Sequence, residues 1–215
     1  MPLPIEEVRC PLCAAMDVAA FFANAGRRYF RCAVCDLVFI HPENRPPPRE
    51  ELNRYLAHEN SRENTGYVAF LRRLVQPVCA RAPVGARGLD VGCGPVPVLS
   101  ELLTTSGRPT QHYDPLFHAD RELLLHRYDF VTCCEVVEHA HDPATLFAQL
   151  VELLRPGGTL GVMTSLHDDS TDFAAWWYVR DVTHVSFFSA RSMRWVGAHF
   201  GLSVQLLGNV ALFLR

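Results

Sequence analysis

"LDVGCGPVPVL", residues 89–99, is the stretch on which the fold turns. Leu89, Asp90 and Val91 read as the end of a strand and Val98 onward as a helix, with Gly92-Cys93-Gly94 turning between them. In an open α/β sheet, ligands sit beyond the carboxyl ends of the strands. Glycines there let the backbone approach a ligand with no Cβ in the way. A dinucleotide fingerprint asks for a further glycine at position 97, where this chain has Pro97. A ligand with an adenosyl ribose but no pyrophosphate relaxes that demand, and S-adenosylmethionine is such a ligand. Asp114 lies 20 residues past Gly94, at the end of the next strand, the position from which a carboxylate grips ribose hydroxyls.

Outward from this loop the pattern alternates. Strands are expected at Gly88–Val91, Gln111–Tyr113, Phe130–Cys134 and Thr159–Thr164, and helices at Val98–Ser106, Pro143–Leu154 and Ala190–Phe200. Asp142-Pro143 is an N-cap followed by proline at the first helical position. Arg155-Pro156-Gly157-Gly158 stops that helix and turns into the next strand. Ser203–Leu207 and Val210–Leu214 flank Gly208-Asn209, a hairpin signal. Parallel crossovers closed by a hairpin imply an open α/β sheet with one antiparallel strand.

Two CxxC pairs, Cys10/Cys13 and Cys32/Cys35, stand 18 residues apart. This is zinc-ribbon spacing, and four thiolates fill a tetrahedral shell, so a structural zinc is expected. Residues 1–41 are expected to form the ribbon, with a core of its own. "HPENRPPPREE", 41–51, reads as a stiff extended hinge. Glu50–His58 and Gly66–Ala82 have helical spacing, with Val68, Leu71, Leu74, Val75 and Val78 on one stripe. Residues 42–84 thus form hinge and covering helices, and 85–215 the catalytic domain.

The 215 residues are 49% apolar and 20% charged, which describes a soluble globular chain. No apolar run is long enough to span a membrane. The N-terminus lacks the features of a signal peptide, so a cytoplasmic protein is expected. The net charge of −3, and seven Arg against seven Asp/Glu in residues 1–56, disfavour nucleic acid as the partner. All 20 basic residues are Arg, which excludes Schiff-base and P-loop lysine chemistry.

With these segments in place, the chain resembles a class I S-adenosylmethionine-dependent methyltransferase. The resemblance rests on "LDVGCGPVPVL", "HYDPLF", "YDFVTCCEVVEHAHDP" and "LLRPGGTLGVMTS", about residues 85–165. The closing "WWYVRDVTHVSFFS" is similar to bacterial members in which a cysteine-zinc module precedes the catalytic domain. The resemblance implies a Rossmann-like, seven-stranded sheet with the last strand antiparallel. It also implies cofactor binding by Asp90, Gly92, Cys93, Gly94 and Asp114, with Cys134 and Glu135 beside the cofactor. Two departures stand out. Val96 occupies the place of the family's third loop glycine, and only 13 residues separate Asp114 from Tyr128. The third strand is therefore expected to be vestigial, leaving Asp120 and Leu123 as candidates to read the adenine.

Residues 173–188 hold six aromatics in 16 positions and should drape over the pocket mouth. They include His184, with Asp181 three residues earlier. An imidazole oriented by a carboxylate is a workable general base near neutral pH. The alternative is a core-packing histidine. Glu138-His139 is a second candidate pair. The expected function is methyl transfer to a small polar acceptor: a sugar, glycolipid precursor or metabolite. RNA is an alternative acceptor, a cofactor-binding scaffold a different class, and an NAD oxidoreductase is last because of Pro97.

Overall fold

The first described elements are built around Ala25-Gly26. Both residues have positive φ, the signature of a tight hairpin turn. They join β1 (Val18–Asn24) to β2 (Arg27–Cys32), and β3 (Val38–Ile40) follows. The computed structural model describes residues 8–57 and 60–215. Pro48 starts α1 (Pro48–Leu56), so the expected hinge shortens to a 3-10 turn at Pro42–Asn44 and an extended Pro47. Proline's fixed φ suits a first helical turn, where its missing N–H costs nothing. Asn64 caps α2 (Thr65–Arg81) by accepting from the Tyr67 amide.

The sheet strands follow in the expected order: β4 (Gly88–Val91), α3 (Val98–Thr105), β5 (Thr110–Tyr113), β6 (Tyr128–Cys134), α4 (Pro143–Glu152) and β7 (Leu154–Met163). Then come β8 (Leu166–His167), β9 (Ser186–Ser189), α5 (Ala190–Phe200), β10 (Ser203–Leu207) and β11 (Val210–Leu214). One sheet has the order β10-β11-β7-β6-β4-β5. β4, β5, β6 and β7 run parallel, and β11 is antiparallel to both neighbours. The sheet has six strands where the resemblance implied seven. Between β5 and β6 there is only a 3-10 turn, Arg121–Leu125, because 13 residues are too few for a crossover helix and a strand. Arg155–Gly158 lies inside β7 as an irregularity and does not precede the strand; the β6–β7 register shifts there.

The ribbon does not stand apart. Leu37 and the three residues of β3, Val38, Phe39 and Ile40, are all at most 2% exposed. β3 pairs with β2 on one side and with β9 on the other, giving a second sheet ordered β1-β2-β3-β9-β8. Asp36 adds a polar tie, accepting from Arg31 Nε at 2.7 Å and from Ser189 Oγ at 2.6 Å. One apolar cluster runs from Cys10, Leu12, Leu37 and Phe39 through Phe188 and Met193 to Leu89 and Val131 in the six-stranded sheet. The expectation of a core for the ribbon alone is therefore corrected. The small module shares its core with the large one, because a hairpin this short cannot bury enough apolar surface alone.

α2 packs the stripe Leu71, Leu74, Val75 and Val78 against Leu99, Leu103, Phe130 and Met163, which sets its N-terminal half over the carboxyl ends of the strands. Among the described residues no helix is long and apolar enough to cross a membrane.

Candidate active site

The carboxyl ends of β4, β5 and β6 open into a cavity of about 370 Å³. The loop after β4 keeps Gly92 at φ +80° and Gly94 at φ +68°, both in the left-handed region. The amides of Gly92 and Cys93 donate to the Tyr113 carbonyl at 2.8 and 3.3 Å, tying the loop to the end of β5. The Gly94 amide donates to Asp114 Oδ2 at 3.0 Å. Asp114 Oδ1 accepts from the amides of Leu116 and Phe117 at 2.8 and 3.2 Å, a local turn that fixes the carboxylate at the cavity wall. Val96, the family departure, is 40% exposed and does not line the cavity, so it does not obstruct the loop. Asp120 and Leu123 do not reach the cavity either. Asp120 caps the 3-10 turn and Leu123 packs against the main core, leaving Pro115, Leu116 and Phe117 at that end.

Asp90 is buried at the end of β4 and accepts from Thr132 Oγ1 at 2.8 Å. Burial pushes its carboxyl up to about 7. Glu135 follows β6 at φ +53°, a strained conformation for a side-chain-bearing residue. Burial, reinforced by the charge of Glu138, raises its carboxyl to about 9. Its Oε1 is buried with no hydrogen-bond partner, as is Oε1 of Glu138. Burial also raises the Cys93 and Cys134 thiols, so both meet the cavity as neutral groups and not as nucleophiles.

The far wall is made by His139, on the 3-10 turn after β6, and by the aromatic segment before β9. His184 is 6% exposed and lines the cavity with Asp181 and Trp177. The structure does not join the Asp181 carboxylate to the His184 ring. Asp181 Oδ1 accepts from the Thr183 amide and hydroxyl at 3.0 and 2.6 Å, and Oδ2 from Arg54 Nε at 2.7 Å. Burial opposes ionisation of Asp181, but these donors outweigh it and hold its carboxyl well below the usual range. His184 Nδ1 instead lies 2.7 Å from the Tyr178 carbonyl. Burial lowers the imidazole to about 4, so the expected titration between 6 and 7 is displaced and the ring is neutral at physiological pH.

Glu138 is fully buried, and its Oε2 accepts from Thr164 Oγ1, which also contacts Tyr178 Oη. Glu138, paired with His139 in the sequence, is buried where Glu135 is only partly so. Tyr55 of α1 and Tyr67, Phe70 and Leu71 of α2 complete the lining. The sequence marks these as covering helices, with Leu71 on the stripe, but helical spacing does not say which side chains face the cavity. At the other end of the chain, Sγ of Cys10 and Cys35 are 3.5 Å apart and those of Cys13 and Cys32 3.4 Å, with all four within 4.8 Å of one another.

Over residues 56–207 the chain matches the family described as a methyltransferase domain. A ubiquinone biosynthesis O-methyltransferase of Vibrio cholerae serotype O1 is 33% identical over 79 residues, which is 37% of this chain and 32% of that protein. The match thus spans about a third of that relative's length. Among solved structures, the Burkholderia thailandensis 1,6-didemethyltoxoflavin-N1-methyltransferase, with 1,6-didemethyltoxoflavin and S-adenosylhomocysteine bound, is similar with a TM-score of 0.54 and 14% identity. That likeness covers 91% of this chain and 96% of that one. The magnesium protoporphyrin IX methyltransferase of Synechocystis, with bound S-adenosylhomocysteine, gives a TM-score of 0.53 and 13% identity over 78% and 94% of the two chains. At these identities the two structures show a shared fold.

Proposed function

The chain belongs to the methyltransferase-domain family, and we propose that it transfers the methyl group of S-adenosylmethionine to a hydroxyl of a small-molecule acceptor. One observation carries the reading. A single cavity gathers five carboxyl groups, from Asp90, Asp114, Glu135, Glu138 and Asp181, against one guanidinium, Arg54, already paired with Asp181. Two of those groups leave a buried oxygen unpartnered, which suits a cationic ligand and disfavours a nucleotide phosphate.

When bound, S-adenosylmethionine supplies a methyl group on a sulfonium cation whose leaving group is a neutral sulfide. Asp114 would hold the ribose hydroxyls, and Gly92, Cys93 and Gly94 the adjoining backbone face. Asp90, Cys134 and Glu135 would line the methionine portion, the two acids matching its ammonium group. Tyr67, Phe70 and Leu71 close the cavity from α2, and excluding water strengthens every charge interaction inside it. The acceptor's place is the opposite wall, between Trp177, Leu116 and the two histidines. Trp177 and Leu116 are 61% and 54% exposed, an apolar lip that favours an acceptor with an aromatic or aliphatic part beside its hydroxyl. His139 and His184 line this wall where the hydroxyl would lie.

The test is calorimetry with S-adenosylmethionine and NAD, followed by incubation of a metabolite extract with methyl-labelled S-adenosylmethionine. Binding of S-adenosylmethionine and a labelled small molecule are expected. No binding up to roughly 1 mM, or binding of NAD in its place, would overturn the reading.

We also infer that Cys10, Cys13, Cys32 and Cys35 hold one structural zinc. A tetrahedral zinc with Zn–S bonds of about 2.3 Å separates its sulfurs by about 3.8 Å, close to the spacing of the four Sγ atoms. Burial pushes the Cys13 thiol up to about 12, and Cys10 as a hydrogen-bonding neighbour raises Cys35. Four thiolates coexist in such a site only around a cation. Less than about half an equivalent of zinc in the purified protein would refute this.

A further inference from the structure

We propose that Glu138, His139 and His184 form a second metal site, distinct from the cysteine cluster, that binds a divalent cation such as Mn²⁺, Fe²⁺, Co²⁺ or Zn²⁺ at the acceptor end of the cavity. His139 Nδ1 lies 3.1 Å from the Thr183 carbonyl, and His184 Nδ1 lies 2.7 Å from the Tyr178 carbonyl. A carbonyl can only accept, so each ring donates through Nδ1 and leaves Nε2 as the nitrogen available to another partner. The rings stand 4.8 Å apart, edge to face. Glu138 supplies the third group. Its side chain is fully buried, Oε2 takes the Thr164 hydroxyl, and Oε1 has no partner.

One ligand atom from each residue lies within 4.8 Å of the others. Glu138 Oε1 is buried with no donor to satisfy it, and a cation held among the three groups would supply the missing partner. Ligand bonds of about 2.0–2.2 Å place neighbouring ligands roughly 3–3.5 Å apart, so small side-chain rotations close the cluster. Two imidazoles and one carboxylate on one face leave open positions for exogenous ligands. The supporting contacts are those of a metal site. Each imidazole is locked in its tautomer by a backbone carbonyl, and the carboxylate is oriented by Thr164 and, through it, by Tyr178.

The function of the cation rests on the methyl-transfer reading; its binding does not. In an open position it would take the acceptor hydroxyl and lower its pKa. The hydroxyl releases its proton to water. The oxygen then forms a bond to the methyl carbon as the carbon–sulfur bond breaks and its electron pair stays on sulfur. The products are a methyl ether, neutral S-adenosylhomocysteine and one proton.

The experiment is a Mn²⁺ titration of the full chain, with zinc already on the cysteines, followed by electron paramagnetic resonance. Mn²⁺ prefers nitrogen and oxygen to thiolate, so it reports this site. About one bound Mn²⁺ per chain is expected. His139→Gln and His184→Gln should each lose at least about 100-fold in affinity, and Thr164→Val about 10-fold, the scale of a lost supporting contact. S-adenosylmethionine calorimetry on each variant verifies that it is folded. Wild-type protein that binds no Mn²⁺, or folded histidine variants that bind it unchanged, would overturn the proposal. Mn²⁺ bound without any methyl transfer leaves the metal site standing and removes the methyltransferase reading. Methyl transfer indifferent to chelators, with no Mn²⁺ bound, does the reverse.

Discussion

Gly92→Ala tests how the cofactor loop is built. A Cβ at this position falls 2.4 Å from Val136 Cγ2 and 3.0 Å from Cγ1, with the backbone at φ +80°. The left-handed conformation costs a side-chain-bearing residue about 1–2 kcal/mol. Inserting a methyl group into packed surroundings adds about 1–3 kcal/mol. The sum is roughly 2–5 kcal/mol. Gly94→Ala is the internal control. Its φ is +68°, but the added Cβ meets only Asn60 Nδ2 at 3.4 Å, an ordinary contact. It should therefore cost only about 1–2 kcal/mol of stability. The two variants should rank oppositely in binding relative to stability. Both glycines line the cavity, but the methyl at 94 has room and takes up the ligand's space, whereas the methyl at 92 pushes against Val136 in the wall. Urea denaturation gives the stabilities and calorimetry the affinities for S-adenosylmethionine. Equal destabilisation by the two alanines, or a Gly92→Ala protein within about 0.5 kcal/mol of wild type, would refute the packing argument.

Asp114→Ala should weaken S-adenosylmethionine binding by about 1.5–3 kcal/mol, the range for hydrogen bonds to a charged group; an unchanged dissociation constant in the folded variant would show that the ribose lies elsewhere. Asp90 carries a pH signature, because burial raises its carboxyl from 3.8 to about 7. The folded state then holds a proton that the unfolded chain has released, so this group's contribution to stability is present below about pH 4 and is lost as pH rises through 7. A cationic ligand favours the ionised form. Affinity should therefore rise with pH by up to about tenfold per unit until pH 7, with proton release at pH 6.5 detectable by calorimetry in two buffers and smaller in Asp90→Asn, where Glu135 alone remains to release one. Chelating the zinc proposed for the four cysteines should raise hydrogen exchange in β3 and β9 together, since they share a ladder; a change confined to β1 and β2 would restore the ribbon's independence.

Sequence alone carried the local chemistry. Gly88–Val91, Ala190–Phe200 and the terminal hairpin fall where periodicity, caps and Gly208 put them, because such signals act over a few residues. The six-stranded sheet with one antiparallel strand follows from that order of elements, and the missing strand from the shortness of 115–127. The cavity's wall residues Asp90, Gly92, Cys93, Gly94, Asp114, Cys134 and Glu135 come together because each stands at or just beyond the carboxyl end of a strand, where an open sheet leaves room. Tertiary structure decided the rest. The pairing of β3 with β9 joins segments some 150 residues apart, and no local signal states which sheet edge will be left free to receive them. The proximity of Asp181 and His184 in sequence suggested a dyad, yet backbone carbonyls and Arg54 were better placed to satisfy each side chain once the loop was folded. Glu138 has the same side chain as Glu135 three residues earlier. Only the packing of the aromatic segment over it, with Thr164 beneath, buries it fully and brings its carboxyl group together with two histidines.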